Sequence, residues 1–389
     1  MELSKHGLSL LLLAALLTLV GCGSREGTEV SIRGDMFYVN GKPTYAGRFW
    51  DGNKVEGLLL NSRMVQGIFD DENPETRSVF HYPDTGEWSA DRNTNEFVAA
   101  MPSWKAHGLN SFTVNLQGGS PTGYGNRNWI NSAFDEEGDL KTAYMDRLQR
   151  IIEKADELQM VVILGYFYFG QDQVLKDEDA VKAAVTNATN WVLERGFRNV
   201  LVEINNECNS GAYDHPILKE DRVHELITLA QRIELDGRRL LVSTSYGGCY
   251  VPHSNVVSVA DYILIHGNSS RENREEAERT GIEHPSYVYL QRTIDGTREI
   301  EGYRGQPIVI NEDDHYEFDK ADNNYKRAIE SYVSWGYFDF RRIGARAERE
   351  GLEEETDIKI GYQSVPVDWS ISHPRKKAFF DYTKEISGY

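Results

Sequence analysis

The sequence predicts an α/β fold, a (β/α)8 barrel of the TIM type opened by a short N-terminal β-hairpin. Three observations predict it. Short apolar runs recur eight times, and stretches of helical period lie between most of them. The runs are also continuously apolar rather than alternating, as strands buried on both faces must be. An open doubly wound sheet is the structural rival, because it shares the alternation of strand and helix.

From Val30 to Phe49 the apolar residues largely alternate around Asn40-Gly41-Lys42-Pro43. Asn-Gly between strand-like runs is a hairpin signal, since both turn positions need positive φ. The segment 45–50, Tyr45-Ala46-Gly47-Arg48-Phe49-Trp50, is expected next as barrel strand one. Strands two to eight are expected at 111–116, 160–168, 200–204, 240–244, 262–265, 307–310 and 336–340.

Tyr144, Leu148, Ile151, Ile152, Ala155 and Leu158 mark one face of a helix, and Val223, Leu226, Ile227, Ala230 and Ile233 mark another. Asp177-Glu178-Asp179 gives an acidic start to a helix over 180–193, and Gly196 its stop. A terminal helix is expected at 375–386. The longest departures from the repeat, 51–92 and 341–360, are expected at the barrel mouth, where long loops shape a cleft. The charged run 346–357 within the second reads as a solvated helix.

The 389 residues carry 61 acidic and 42 basic side chains, a formal net charge of −19. Nucleic acid or an anionic lipid surface would be repelled, whereas a neutral polysaccharide would not. Lys5 precedes an apolar run over 8–20 that ends in Leu19-Val20-Gly21-Cys22. Residues 1–21 are expected to be a secretory signal, because the run is too short to span a bilayer. Small residues before a lone cysteine resemble the bacterial lipobox, in which Cys22 is lipidated and becomes the mature N-terminus. Gly23-Ser24 lacks the aspartate of inner-membrane retention, so the expected location is the cell envelope, on an outer-membrane anchor.

Residues 22–389 are expected to form a single domain, with the lipid as the only membrane attachment, since no Pro/Gly/Ser linker and no second long apolar run occurs. In an oxidising compartment Cys208 and Cys249 are candidates for a disulfide, with two buried free thiols as the alternative.

Two apolar runs end in glutamate: Val200-Leu201-Val202-Glu203-Ile204-Asn205-Asn206-Glu207, and Pro307-Ile308-Val309-Ile310-Asn311-Glu312. In the expected register Glu207 ends strand four and Glu312 strand seven, at the end of the barrel that carries catalytic residues. Two carboxyl groups are what cleavage of a glycosidic bond needs, one to protonate the leaving oxygen and one to attack or to activate water.

With Phe37-Tyr38-Val39-Asn40-Gly41-Lys42-Pro43 in the hairpin, Asn206-Glu207 and Ile308-Val309-Ile310-Asn311-Glu312, the chain resembles the clan A glycoside hydrolases. These are retaining barrel β-glycosidases that include the cellulase and mannanase family five. The resemblance implies double-displacement hydrolysis of a polysaccharide or oligosaccharide, with Glu207 as acid/base, Glu312 as nucleophile and Asn206 as donor to the sugar 2-hydroxyl. It implies His266 as a partner near the nucleophile and Trp369 as a sugar-stacking platform, with a core tryptophan as the alternative. No metal or cofactor is implied.

Arg48 is a candidate for holding the nucleophile ionised or binding a sugar hydroxyl, with a structural ion pair left open. Tyr246, Asn115 and Tyr168 complete the candidate set, and Trp50 and Trp88 are read as platforms or core. Asp313-Asp314-His315 departs from the family pattern and would alter the electrostatics of Glu312. Glu203 and Glu317 are alternative carboxylates. The rival functions are a non-catalytic glycan-binding lipoprotein, and a metal-dependent hydrolase using His266, Asp313, Asp314 and His315.

Overall fold

Barrel strands two to eight form where the apolar runs place them: Ser111–Asn115, Val161–Phe167, Val200–Asn205, Leu241–Ser243, Ile263–His266, Ile308–Glu312 and Gly336–Tyr337. The computed structural model describes residues 27–121, 128–282, 284–339, 361–363 and 365–389. The segment 1–21, Cys22 and the loop 341–360 with its charged run lie outside the described residues.

Strand one is not where it is expected. It is Asn61–Arg63, the end of the run Leu58-Leu59-Leu60-Asn61-Ser62-Arg63, and it pairs in parallel with strands two and eight. The aromatic segment expected there forms a short hairpin, Phe49–Trp50 against Asn53–Lys54. Its polar groups explain why it stays outside. Arg48 donates from Nε to the carbonyl of Ile386 (2.9 Å) and from Nη2 to that of Glu385 (2.6 Å). Trp50 Nε1 donates to the Glu385 carboxylate at 2.9 Å. The segment therefore closes off the C-terminal helix Pro374–Ser387, whose last carbonyls lack partners within the helix.

The parallel ladders run in the order five, four, three, two, one, eight, and a second sheet joins Ser245–Tyr246 to strands six and seven. Strand five is split, its first half pairing with strand four and Ser245–Tyr246 with strand six. Isolated bridges, Val309 with Ser334 and Asp313 with Tyr337, lie between strands seven and eight. Among the described residues the ladders do not form one unbroken ring.

Helices Ala90–Ala106, Thr142–Glu157, Glu178–Glu194 and Val223–Gln231 intervene between strands one to five. The faces read from sequence are the buried ones: Tyr144, Leu148, Ile151, Ile152 and Ala155, and Val223, Leu226, Ile227 and Ala230. Asp177 caps its helix by accepting the Ala180 N–H at 2.8 Å, and Gly196 follows with φ +74°. Among the described residues no helix is long and apolar enough to cross a membrane.

The barrel interior has two layers. Strands Val30–Arg33, Met36–Val39 and Lys42–Pro43 form the N-terminal hairpin, whose Asn40-Gly41 turn has φ of 51° and 74°. Val30 and Phe37 pack with Leu59, Ile163, Tyr262 and Val309 as an apolar plug, Phe37 meeting Tyr262 edge-on at 6.2 Å. Burying a phenylalanine in this way stabilises by about 1.5 to 3 kcal/mol. The second layer is polar and buried: Asn61, Arg63, Glu203, Asn311 and Glu312.

Cys208 and Cys249 are free and buried, so of the two alternatives the structure has the pair of buried thiols. Their side chains have other neighbours. The Cys249 thiol donates to the Gly267 carbonyl at 3.2 Å, and Cys208 lies against Tyr246 and Thr244.

Candidate active site

Strand four delivers Asn206 and Glu207 to the mouth. The Asn206 N–H is held by the Phe167 carbonyl at 3.0 Å. Glu207 then turns into the left-handed region, φ 52°, which costs a non-glycine residue about 1 to 2 kcal/mol. Its N–H donates to Ser245 Oγ at 2.9 Å, and the next N–H, of Cys208, to the Ser245 carbonyl at 2.9 Å. Strand five thus holds the turn. Gly247 makes room for it: a methyl group there would lie 2.3 Å from Glu207 Oε1.

Strand seven ends in Glu312, and its carboxylate is held from two sides. Arg63 Nε contacts Oε2 at 2.8 Å, and Asn268 Nδ2 donates to Oε1 at 2.9 Å. His266 Nδ1 lies 3.0 Å from Glu207 Oε1 and 3.7 Å from Glu312 Oε2. Ligand-type atoms of Glu207, His266 and Glu312 all fall within 4.8 Å of one another.

Arg63 ties the cluster together. It is 1% exposed, and its remaining nitrogens reach Glu203 Oε2 at 3.4 Å and Asn206 Oδ1 at 2.5 Å. Glu203 also accepts from Asn311 Nδ2 at 3.1 Å. With its oxygen turned to Arg63, the amide of Asn206 has its NH2 group as the donor to offer elsewhere.

Burial pushes the Arg63 guanidinium down, but Glu203 and Glu312 outweigh this and hold it charged. Burial likewise opposes the charged form of His266, and the Glu312 and Glu207 carboxylates lift it above its ordinary value. Burial and the Glu207 charge push Glu312 up, against the pull of His266 and Arg63. Glu207 is drawn down in spite of burial, because His266 hydrogen-bonds it directly. These groups titrate as one unit.

The first acid of the flank is turned away from this unit. Asp313 is buried, its Oδ2 accepting from Trp335 Nε1 and Asn324 Nδ2, both at 2.9 Å, and its Oδ1 meeting His315 Nδ1 at 2.6 Å. Burial lowers the His315 imidazole, but Asp313 and then Asp314 lift it to about 9. Its folded value lies above its unfolded one of about 6.5. The stability it contributes is therefore full below pH ~6.5, falls as pH rises, and is gone above about 9. The wild-type melting temperature is expected to fall more steeply across this window than that of His315→Gln, by scanning calorimetry. Parallel curves would refute the linkage.

Among the described residues two groups have the donor set for a metal ion: Glu207, His266 and Glu312, and Asp313, Asp314 and His315. In the first, Arg63 already places a fixed positive charge on Glu312. In the second, Asp313 is engaged by three side-chain donors. His266 sides with the glutamate pair, so the four residues of the metal-dependent rival do not assemble as one centre.

Of the residues expected at the site, the structure brings together Glu207, Glu312, Asn206 and His266. Tyr168 joins them: burial raises its hydroxyl, which meets Ser120 Oγ at 3.3 Å, and the Glu312 and Glu207 charges add to the rise. Arg48 does not join, for it caps the terminal helix. Tyr246 is buried against Cys208 and His253 and contributes no surface to the cleft. Asn115 faces Gly165 within the barrel, with no contact to either glutamate among the described residues.

Trp369 is core, packed on Phe97, Trp104 and Tyr362, with Nε1 donating to Asn93. Trp88 stacks on Tyr82, and Trp50 meets Tyr382. Arg63, Asn268, Ser245 and Gly247 were not among the expected residues. The signal for Arg63 was the apolar run 58–60 leading to a cation; Asn268 stands two residues after His266.

A cleft of about 920 Å³ opens over Glu207 and is lined further by Asn268, Asp314, His315, Tyr316 and Tyr287. No protein-family model and no curated protein sequence matches the chain. Solved structures do. A glycoside hydrolase family 5 mannosidase from Rhizomucor miehei superposes with a TM-score of 0.53 at 12% identity, covering 93% of this chain and 97% of that one. A GH5-4 broad specificity endoglucanase from Ruminococcus flavefaciens gives 0.52 at 12% identity, covering 85% and 97%. The likeness is one of fold: the chain has the α/β barrel architecture of these enzymes.

Proposed function

We propose that the protein is a retaining glycoside hydrolase that cleaves β-glycosidic bonds in a polysaccharide or oligosaccharide, with Glu312 as nucleophile and Glu207 as acid/base. One observation carries the reading: at the barrel mouth, the nearest carboxylate oxygens of Glu207 and Glu312 lie within 4.8 Å of each other, on the short side of the spacings that divide the two mechanisms. Direct attack requires carboxyl groups about 5 to 5.5 Å apart, whereas activation of water on the far face requires about 6.5 to 9.5 Å.

In the resting cluster the electrostatics runs the other way, Glu207 being drawn down and Glu312 pushed up, so these roles require the His266 proton to move. With that proton on His266, Glu207 is pulled down and Glu312 feels a full neighbouring charge. Transfer across the 3.0 Å contact to Glu207 removes that pull and that charge together. Glu207 is then the acid, and Glu312 the anion, held by Arg63 and Asn268.

In the first step Glu312 attacks the anomeric carbon as the C–O bond breaks and Glu207 protonates the departing oxygen. In the second, Glu207 takes a proton from the water that displaces Glu312. The amide of Asn206 offers its N–H to the neighbouring sugar hydroxyl.

Replacing the acid tests the reading. Glu207→Gln is expected to slow cleavage of native glycans by about 10² to 10⁴-fold, and much less with a dinitrophenolate leaving group, which needs no protonation. NMR of the first-formed anomer should show retained configuration. An inverted first product, or equal losses with both leaving groups, would refute the assignment.

A further inference from the structure

Asn268 is held in place with few alternatives. The ladder of strand six shifts register between Ile265 and His266, after which the Gly267 N–H donates to the Glu312 carbonyl at 2.8 Å. A methyl group on Gly267 would lie 2.1 Å from Asp313 Oδ2, so that carboxylate packs where a side chain would otherwise stand. The two contacts fix the backbone that presents Asn268 to the cleft.

The orientation of the amide is forced as well. An ionised carboxylate only accepts hydrogen bonds, so the NH2 group faces Glu312 and the carbonyl faces the other way. That carbonyl oxygen is buried and has no partner among the described residues. An unpaired buried acceptor costs about 1 to 3 kcal/mol. Asn268 itself lines the cleft, and a sugar hydroxyl that reaches this covered oxygen is a suitable donor.

The two oxygens of Glu312 differ in consequence. Oε2 is held by the Arg63 cation and lies near His266, while Oε1 meets only a neutral amide. The less firmly held lone pairs, those of Oε1, are the ones free to form a bond. An amide cannot give up its proton to the carboxylate, so it aims the oxygen without competing for its charge.

We infer that Asn268 is a positioning residue for Glu312 Oε1 and, through its carbonyl, a contact for a hydroxyl of the sugar bound beside the nucleophile. The inference rests on the retaining reading above. A hydroxyl donating to the carbonyl would polarise the amide and strengthen its hold on Glu312, so the correct sugar would tighten the aim of the attacking oxygen.

The test uses Asn268→Asp, nearly isosteric, and Asn268→Leu, which removes both polar ends, assayed on the 4-nitrophenyl β-glycoside that the wild type cleaves fastest and on its monodeoxy analogues. Both variants should lose about 10 to 100-fold in kcat/KM. In Asn268→Asp the acid limb of the pH profile should also move up by about one unit, because a carboxylate replaces the donor beside Glu312. One monodeoxy analogue should be penalised in the wild type and not in Asn268→Leu. Wild-type kcat/KM, an unmoved acid limb and an unchanged deoxy penalty would overturn the inference. Should Asn268→Leu fail to fold, the acid limb of Asn268→Asp decides. Glu312→Gln serves as control: if it is active the retaining reading has failed, and if it is inactive the Asn268 result stands by itself.

Discussion

Glu312→Gln is expected to reduce turnover on the order of 10⁴-fold or more, the scale seen when a member of a covalent catalytic unit is removed. The amide is close to isosteric but cannot form the glycosyl ester. It also fits its surroundings poorly, since Glu312 accepts from Arg63 on one oxygen and from Asn268 on the other. An amide has one acceptor oxygen, so one of those donors would face an NH2 group, costing about 1 to 3 kcal/mol of stability. Loss of activity alone does not separate nucleophile from acid, and chemical rescue does. Glu312→Gly with sodium azide should give a glycosyl azide of inverted configuration, the small anion entering from the side the carboxylate vacated. Turnover within tenfold of wild type, or a rescue product of retained configuration, would contradict the assignment.

Arg63→Met is expected to be the most destabilising single change at the site. Breaking a buried ion pair by removing one partner costs about 3 to 5 kcal/mol, because the charges left behind cannot be rehydrated. Arg63 serves two buried carboxylates, Glu203 and Glu312, and holds the amide of Asn206. Arg63→Lys should recover only part of the loss, since a single ammonium cannot reach three acceptors that a planar guanidinium spans. Glu203→Gln in the Arg63→Met background should restore some stability by removing one stranded charge, and a double-mutant cycle measures that coupling. Urea denaturation with an unchanged midpoint in Arg63→Met would show that the ion pairs carry no such weight.

Both expectations depend on a residue the sequence did not mark. The segment 45–50 has the aromatic, β-favouring look of a strand directly after a hairpin, and Arg48 at its centre resembles a site cation. What separates it from the true strand one is tertiary: Arg48 and Trp50 find partners on the terminal helix, while Leu59 packs into the inner plug and Leu60 into the core shared with the outer helices. The other seven strands were legible because burial on both faces demands an unbroken apolar run, and Glu207 and Glu312 were legible because those runs end in them.

Side-chain direction was not legible. Trp369 could stack on a sugar or fill the core, and only the packing of Phe97, Trp104 and Tyr362 around it decides. Cys208 and Cys249 stand near neighbouring strand ends yet have separate neighbours. In the acidic flank, adjacent side chains diverge, Glu312 to the mouth and Asp313 to Trp335 and Asn324, while Asp314 lines the cleft, so the middle acid of three leaves the site.

The apolar plug of the N-terminal hairpin has a further consequence for the charged layer above it. With Phe37 and Tyr262 beneath, that layer rests on an apolar floor. On the proposed reading, the proton that Glu207 gives to the departing oxygen is made good by the incoming water at the mouth, since the side chains of the floor carry none to lend.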